Sequence, residues 1–225
     1  MDRQAVAAIA ALDDDVRRAL YEHVRSVGAP VTREDAAAAV GISTRLAAFH
    51  LDKLVELGVL SAGTDRPAQR RVGRAPKVYW PVAEDISVRV PARDPELLAT
   101  SLVEAVTTER EDERAADAVV RVARSRGVAL GSAARTGVDD GPEHALATSE
   151  ELLAGQGFEP FREAGAVRLR NCPFHPVAGL APALVCGLNH AYLAGLLDGL
   201  DAGETVTATL SPRAGECCVE LRAQP

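Results

Sequence analysis

Four cysteines are the residues of this sequence best suited to chemistry, and all four follow residue 171. Random placement would put all four there in roughly 1 of 300 sequences. Disulfides are disfavoured in a reducing cytosol, and buried inert thiols are the plain alternative for each cysteine taken singly. Because thiolates bind zinc and iron–sulfur clusters, convergence on one metal centre explains the clustering best.

The first two cysteines each have a histidine at a spacing that suits metal binding. Cys172 and His175 form a C-x2-H pair in a proline-containing turn, which would let both side chains reach one ion. Cys186 and His190 lie four residues apart on a helix that is apolar nearly all round, so they share one face. A single histidine on an apolar helix is nevertheless more often a hydrogen-bonded core residue.

The last two cysteines, Cys217 and Cys218, are adjacent and are predicted to lie on a strand. Neighbours on a strand point to opposite faces, which favours Cys217 as the ligand beneath the apolar helix. The fourth ligand is left open between His175, His190, Cys218 and an exogenous group. The predicted metal-ligating residues are Cys172, His175, Cys186, Cys217 and Cys218.

Three helices are predicted in the first 58 residues. The first has apolar residues at helical spacing and ends at Gly28. A short helix capped by Thr32 ends at Gly41, and a longer helix capped by Ser43 ends at Gly58. Only about three residues join the second helix to the third.

A basic hairpin is predicted after the third helix. Its strands lie near 59–60 and 78–80, and the segment 66–77 between them contains five Lys and Arg residues and no acid. This order of elements is that of a winged helix-turn-helix, whose third helix enters the major groove of DNA. His50 has packing within the core as an alternative. The predicted DNA-binding residues are Ser43, Thr44, Arg45, His50, Lys53, Arg70, Arg71, Arg74 and Lys77.

Residues 12–81 resemble the winged helix of ArsR-type bacterial repressors. LDDDVRRALYEHV occupies the place of the first core helix of that family, and GISTRLAAFHLDKLVELGVL that of its helix-turn-helix. The resemblance implies a homodimer that reads two half-sites about one DNA turn apart. The metal sites usual in that winged domain are not implied, because residues 1–171 contain no cysteine.

The rest of the chain is predicted to be α+β. Helices are expected over 96–126, 143–153 and 181–200, with a polar, glycine-rich stretch over 127–141 and hairpins over 158–170 and 205–221. The highly charged segment 109–114 indicates that the first of these helices either spans two bodies or breaks there. The predicted organisation is a winged helix-turn-helix over 1–90, a linker and dimerisation helix over 91–127, and an α+β sensor domain over 128–225. The fold class is α+β, mostly helical.

A second resemblance extends over nearly the whole chain. NCPFHPVA, LVCGLN and GECCVEL, behind an ArsR-like winged helix, resemble the iron–sulfur-sensing repressors of the Suf cluster-assembly operon. Cysteines of this region hold a [4Fe-4S] cluster in those repressors, and the resemblance implies that role for Cys172, Cys186 and Cys217. A further cysteine that those repressors can carry has no counterpart between Cys186 and Cys217, which makes Zn a competitor.

Composition excludes several classes of protein. With 47% hydrophobic residues the chain is not disordered, and no apolar run approaches the roughly 20 residues that span a bilayer. The N-terminus does not resemble a secretory signal, so a cytoplasmic protein without membrane contact is expected. The net charge of −7 is uneven: residues 1–82 carry 12 basic against 10 acidic residues, and the remainder 13 against 22.

The expected function is a DNA-binding transcriptional regulator, a homodimeric repressor acting on a double-stranded operator. A [4Fe-4S] cluster or Zn would control DNA binding, with a redox signal or a small molecule as effector. The alternative is a winged-helix regulator with a structural Zn site and a small-molecule pocket lined by Gly179, Gly187, Gly195 and Gly199. An enzyme is not expected, because the sequence contains no C-x-x-C motif and no glycine loop for phosphate.

Overall fold

Eight α-helices and two antiparallel sheets form the parts of the chain that the computed structural model describes, residues 2–64, 76–83, 85–135 and 141–224. The predicted α+β class is confirmed. The chain divides into two compact units, Met1–Val88 and Arg89–Pro225. None of the described helices has the length and apolar character needed to cross a lipid bilayer.

The N-terminal unit follows its local sequence signals closely. The Thr32 and Ser43 side chains accept hydrogen bonds from backbone N–H groups in the first turns of their helices, as predicted. Gly28 and Gly41 end helices in the left-handed conformation, with φ of 67° and 75°. Its elements are α1 (Arg3–Ala11), α2 (Asp15–Val27), β1 (Val31–Thr32), α3 (Arg33–Val40), α4 (Thr44–Glu56), β2 (Leu60–Thr64) and β3 (Lys77–Pro81).

The three strands of this unit form a sheet in the order β1-β3-β2, which confirms the predicted pairing of β2 with β3. Tyr79 of β3 is buried, and its hydroxyl donates a 2.8 Å hydrogen bond to Asp52 of α4. The core also contains Leu20, Leu51 and Leu54. The sheet and α4 are therefore tied together by both apolar packing and a hydrogen bond.

The C-terminal unit is built on a four-stranded sheet with strand order β4-β5-β7-β6. Both predicted hairpins are confirmed, and so is the buried helix near 181–200. Its elements are α5 (Pro95–Thr107), α6 (Ala115–Ala134), α7 (Gly141–Gly155), β4 (Pro160–Glu163), β5 (Ala166–Leu169), a 3₁₀ turn (Val177–Gly179), α8 (Pro182–Gly199), β6 (Val206–Leu210) and β7 (Val219–Ala223).

The middle of the chain settles one open alternative and corrects one prediction. The helix expected over 96–126 breaks in its charged segment, one of the two outcomes that this segment indicated, so α5 and α6 are separate helices of the C-terminal unit. The glycine-rich stretch expected from residue 127 onward is wrong, because α6 continues through Gly127 and Gly131 to Ala134. These glycines form a helix contact and do not end the helix.

α6 and α8 pack backbone against backbone through glycines on both helices. A Cβ atom at Gly127 would lie 2.0 Å from the backbone oxygen of Tyr192, and one at Gly195 would lie 2.2 Å from that of Arg124. Gly131 and Gly199 are equally close to the opposite helix. Two of the four glycines that the sequence offered as pocket lining, Gly195 and Gly199, are therefore used for helix packing.

Replacing Gly195 by alanine should destabilise the C-terminal unit by about 1–3 kcal/mol, because the added methyl group overlaps the backbone of α6. Gly187→Ala is the matched control on the same helix. A Cβ there meets nothing within 4 Å, so helix propensity should raise stability by about 0.5–1 kcal/mol. Urea unfolding followed by circular dichroism measures both, while fluorescence of Trp80, the single tryptophan, follows the N-terminal unit. Equal stability of the two variants would contradict the packing described here.

Candidate functional site

Cys172 lies in the turn that follows β5, and hydrogen bonds fix this turn to the residues that begin the C-terminal unit. Arg93 donates a 2.7 Å bond to the Cys172 carbonyl oxygen and another to the Asn171 side chain. The Asn171 amide in turn donates to the carbonyl oxygens of Ala92 and Gly157, each at 2.5 Å. The Cys172 turn is therefore bonded directly to the chain at residues 92–93.

The prediction that Cys217 and Cys218 lie on a strand is wrong. Both residues lie immediately before β7. The Cys217 N–H donates to the carbonyl oxygen of Leu169 at the end of β5, and the Cys218 carbonyl accepts from the Ser211 N–H. Cys217 is buried, whereas Cys218 is partly exposed. The strand prediction failed by two residues, but one cysteine still faces the core and the other lies closer to solvent.

The Cys217 thiol interacts with two others. The pKa values of Cys172 and Cys217 are each affected by the other thiol, and that of Cys217 also by Cys218. The interaction with Cys217, together with burial, raises the pKa of Cys172 far above its ordinary value. For Cys217, the interaction with Cys172 lowers the pKa, but the interaction with Cys218 and burial outweigh it and raise the pKa to about 11. Both thiols are therefore protonated at neutral pH in the absence of a metal.

Asn189 of α8 contacts the central sulfur of this group. Its side-chain nitrogen donates to Cys217 Sγ at 3.0 Å, and only 1% of the residue is exposed. Its carbonyl oxygen, Oδ1, has no hydrogen-bond partner among the described residues. A buried carbonyl without a hydrogen-bond partner lowers the stability of the fold by about 1–3 kcal/mol. Asn189 is therefore a candidate for a role other than folding.

The other predicted ligands stand apart from this group. Cys186 is partly exposed on α8, one turn before Asn189. His190 Nε2 lies 3.0 Å from the carbonyl oxygen of Ala208, and His175 is exposed. With the side chains as they stand, the described residues contain no group of three or more His, Cys, Asp or Glu placed to hold a metal ion.

A buried ion-pair network fixes the segment that carries Cys217 and Cys218. Arg168, which is 1% exposed, donates to Glu216 at 2.6 Å and also to Glu220. These two carboxylates flank the cysteine pair, so Arg168 anchors the segment on both sides of it. Glu220 also pairs with Arg222 at 3.4 Å, so the two carboxylates face two guanidinium groups and the network is balanced in charge. Sequence reasoning missed Arg168, because an arginine in a short strand ordinarily faces solvent.

In the N-terminal unit, α4 exposes a different set of side chains from the set predicted. Arg45 is exposed at its N-terminal end, and Phe49, one turn further, is 63% exposed. His50 is buried and its ring packs edge-on against Phe49, which favours the packing alternative over DNA contact. Lys53 pairs with Glu56 at 2.9 Å.

The remaining predicted DNA-binding residues lie at the start of α4, on β3, or outside the described part of the chain. Ser43 caps α4, which leaves Thr44 in the first turn of the helix. Lys77 pairs with Asp52 at 2.6 Å and lies over the Tyr79 ring. Arg70, Arg71 and Arg74 lie outside the described residues.

No protein-family model, no curated protein and no solved structure matches this chain. Function is therefore inferred from the chain's own residues and their contacts.

In reduced, metal-free protein at about pH 7.5, Cys172 and Cys217 should be the slowest thiols to react with iodoacetamide, because both are buried and protonated. The Cys217 rate should rise about tenfold per pH unit toward pH 11, as its thiolate fraction increases. Peptide mass spectrometry measures each site, with urea-unfolded protein as the control. Labelling of Cys217 as fast as Cys218 would show that the thiols are not arranged in this way.

Proposed function

We propose that this chain is a DNA-binding transcriptional regulator, a homodimeric repressor whose DNA affinity is controlled by a [4Fe-4S] cluster or Zn held by cysteines of the C-terminal unit. The observation that carries the proposal is the order α2, α3, α4, β2, β3, with Arg45 and Phe49 exposed on α4. This is the order of a winged helix-turn-helix.

The exposed residues of α4 suit a helix that reads base edges. Arg45 can bond the O6 and N7 atoms of guanine together, and Phe49 can contact the methyl group of thymine. Thr44, in the first turn, can donate to a base or a phosphate. The Phe49 ring is 63% exposed, which leaves most of it accessible to a partner.

A second copy would supply the other half-site that a 13-residue reading helix needs. α5 carries two apolar side chains that point to solvent in the single chain, Val103 at 64% and Val106 at 70% exposure. We propose that contacts between copies cover such side chains on α5. Dimerisation would then involve a helix of the same unit as the thiols.

The contacts among Cys172, Cys217 and Cys218 support a metal centre with thiolate ligands. Cys186, one turn from Asn189, is the further thiol on α8. Metal binding would form metal–thiolate bonds and release the thiol protons, so affinity should increase with pH. A bound cluster would add redox-dependent charge, whereas Zn would act as a fixed crosslink.

Coupling to DNA would pass through the bonds between the Cys172 turn and residues 92–93. Asn171 and Arg93 join this turn to a segment that begins four residues after Val88, where the N-terminal unit ends. Ordering or loosening the turn would change the constraint on the chain that leaves the DNA-binding unit. A cytoplasmic location would keep the thiols reduced and available to the metal.

Arg45→Ala should weaken DNA binding by about 1–3 kcal/mol, because it removes a contact to a base edge. Arg25→Ala, an exposed arginine on α2, should leave affinity nearly unchanged. Fluorescence anisotropy measures both with a duplex selected from a random-sequence pool. Replacing thymine by deoxyuridine in that duplex should weaken binding of the wild type but not of Phe49→Ala. Failure to select any duplex, or equal losses in both arginine variants, would refute the proposed DNA contact.

Protein purified without oxygen should contain bound metal, and removing the metal should change DNA affinity by about 5- to 150-fold. Cys172→Ser should lower the metal content and reproduce that change, because it removes one of the contacting thiols. Elemental analysis and visible absorption distinguish a coloured iron–sulfur cluster from colourless Zn. A metal-free wild type, or DNA binding indifferent to chelation, would exclude metal control.

A further inference from the structure

We infer that Asn189 belongs to the metal-binding site, where its amide N–H positions Cys217 as a ligand and its unpaired carbonyl is kept for the metal-bound state. This inference rests on the proposed function, since it assigns a new residue to that same site. The juxtaposition that carries it is a fully buried amide whose nitrogen lies 3.0 Å from Cys217 Sγ and whose oxygen has no partner among the described residues.

The packing of α8 does not require an asparagine at this position. Residue 189 lies on an apolar helix between buried neighbours such as Leu188 and Tyr192, where leucine would fill the space without a desolvation cost. Asn171, the other buried asparagine of the unit, bonds through both its amide nitrogen and its oxygen. Asn171 therefore has a structural explanation, whereas the Asn189 oxygen has none among the described residues.

The contact with Cys217 gives Asn189 a specific chemical effect. The amide nitrogen lies 3.0 Å from Cys217 Sγ and fixes the orientation of this sulfur, as groups hydrogen bonded to metal ligands commonly do. Cys217 is also the thiol that interacts with both Cys172 and Cys218, so this one amide orients the sulfur on which the proposed site depends. Residues that orient metal ligands in this way are typically worth 10- to 100-fold in metal affinity.

A purely structural role makes the opposite prediction about the metal-free protein. If Asn189 served only to hold the segment around Cys217, its loss would lower stability whether or not metal is bound. If it serves the site, replacement by leucine removes an unpaired carbonyl and leaves the metal-free protein at least as stable. Stability without metal and affinity for metal therefore separate the two roles.

The test compares Asn189→Leu with two matched variants in the full chain, reduced and free of oxygen. Asn171→Leu removes a buried asparagine whose bonds are all made, and Ser149→Ala removes a buried hydroxyl bonded to Ala145. Co²⁺ alone is the probe, titrated by its thiolate charge-transfer absorption in competition with a chelator. Urea unfolding of the metal-free proteins gives their stabilities.

Asn189→Leu should bind Co²⁺ about 10- to 100-fold more weakly than wild type, with an undiminished unfolding midpoint when metal-free. Ser149→Ala should keep wild-type Co²⁺ affinity, and Asn171→Leu should unfold at lower urea. Wild-type Co²⁺ affinity in Asn189→Leu would overturn this inference alone. Loss of metal-free stability in Asn189→Leu, up to failure to fold, would also overturn it. A wild type that binds no Co²⁺ would overturn it together with control by Zn, and the metal analysis of oxygen-free protein would then decide on control by a cluster.

Discussion

The buried sulfur of Cys217 lies where three elements of the C-terminal unit meet, and the proposed site depends on it. Cys217 Sγ accepts a hydrogen bond from Asn189 of α8 and interacts with Cys172 in the turn after β5. The backbone N–H of Cys217 donates to the carbonyl oxygen of Leu169. Three elements distant in sequence thus share one polarizable atom in an otherwise apolar core. Because polar contacts are strong where water is excluded, a change in the bonding of this sulfur affects all three elements.

Ion pairs restrain one of these elements, the segment at Cys217 and Cys218, more strongly than the turn at Cys172. Arg168 holds both acidic neighbours of the Cys217–Cys218 segment, and breaking such a buried pair costs about 3–5 kcal/mol. That segment is therefore the least mobile part of the thiol group. The turn at Cys172 is held by hydrogen bonds that Arg93 and Asn171 donate to carbonyl oxygens. Movement at the thiols is more easily taken up by this turn than by the segment before β7.

Local signals predicted the N-terminal unit well because caps and turn glycines, such as Ser43 and Gly41, act within a few residues of themselves. The hairpins and the buried helix were also predictable from their turns and hydrophobic patterns. The predicted helix end near Gly127 is wrong, because a glycine needed for close helix contact looks the same in sequence as one that ends a helix. Cysteine type and clustering indicated the thiol site, whereas Asn189 and Arg168 gave no signal, since their roles depend only on what they face.

The glycine contact between α6 and α8 has a mechanical consequence for the thiol site. Backbone touches backbone at Gly127 and Gly195, so no layer of side chains remains between the helices that could be compressed or repacked. α8, which carries Asn189 and Cys186, therefore cannot move closer to α6. Any expansion or contraction around the sulfur atoms is displaced away from this rigid helix pair, toward the strand ends and the chain at residues 92–93.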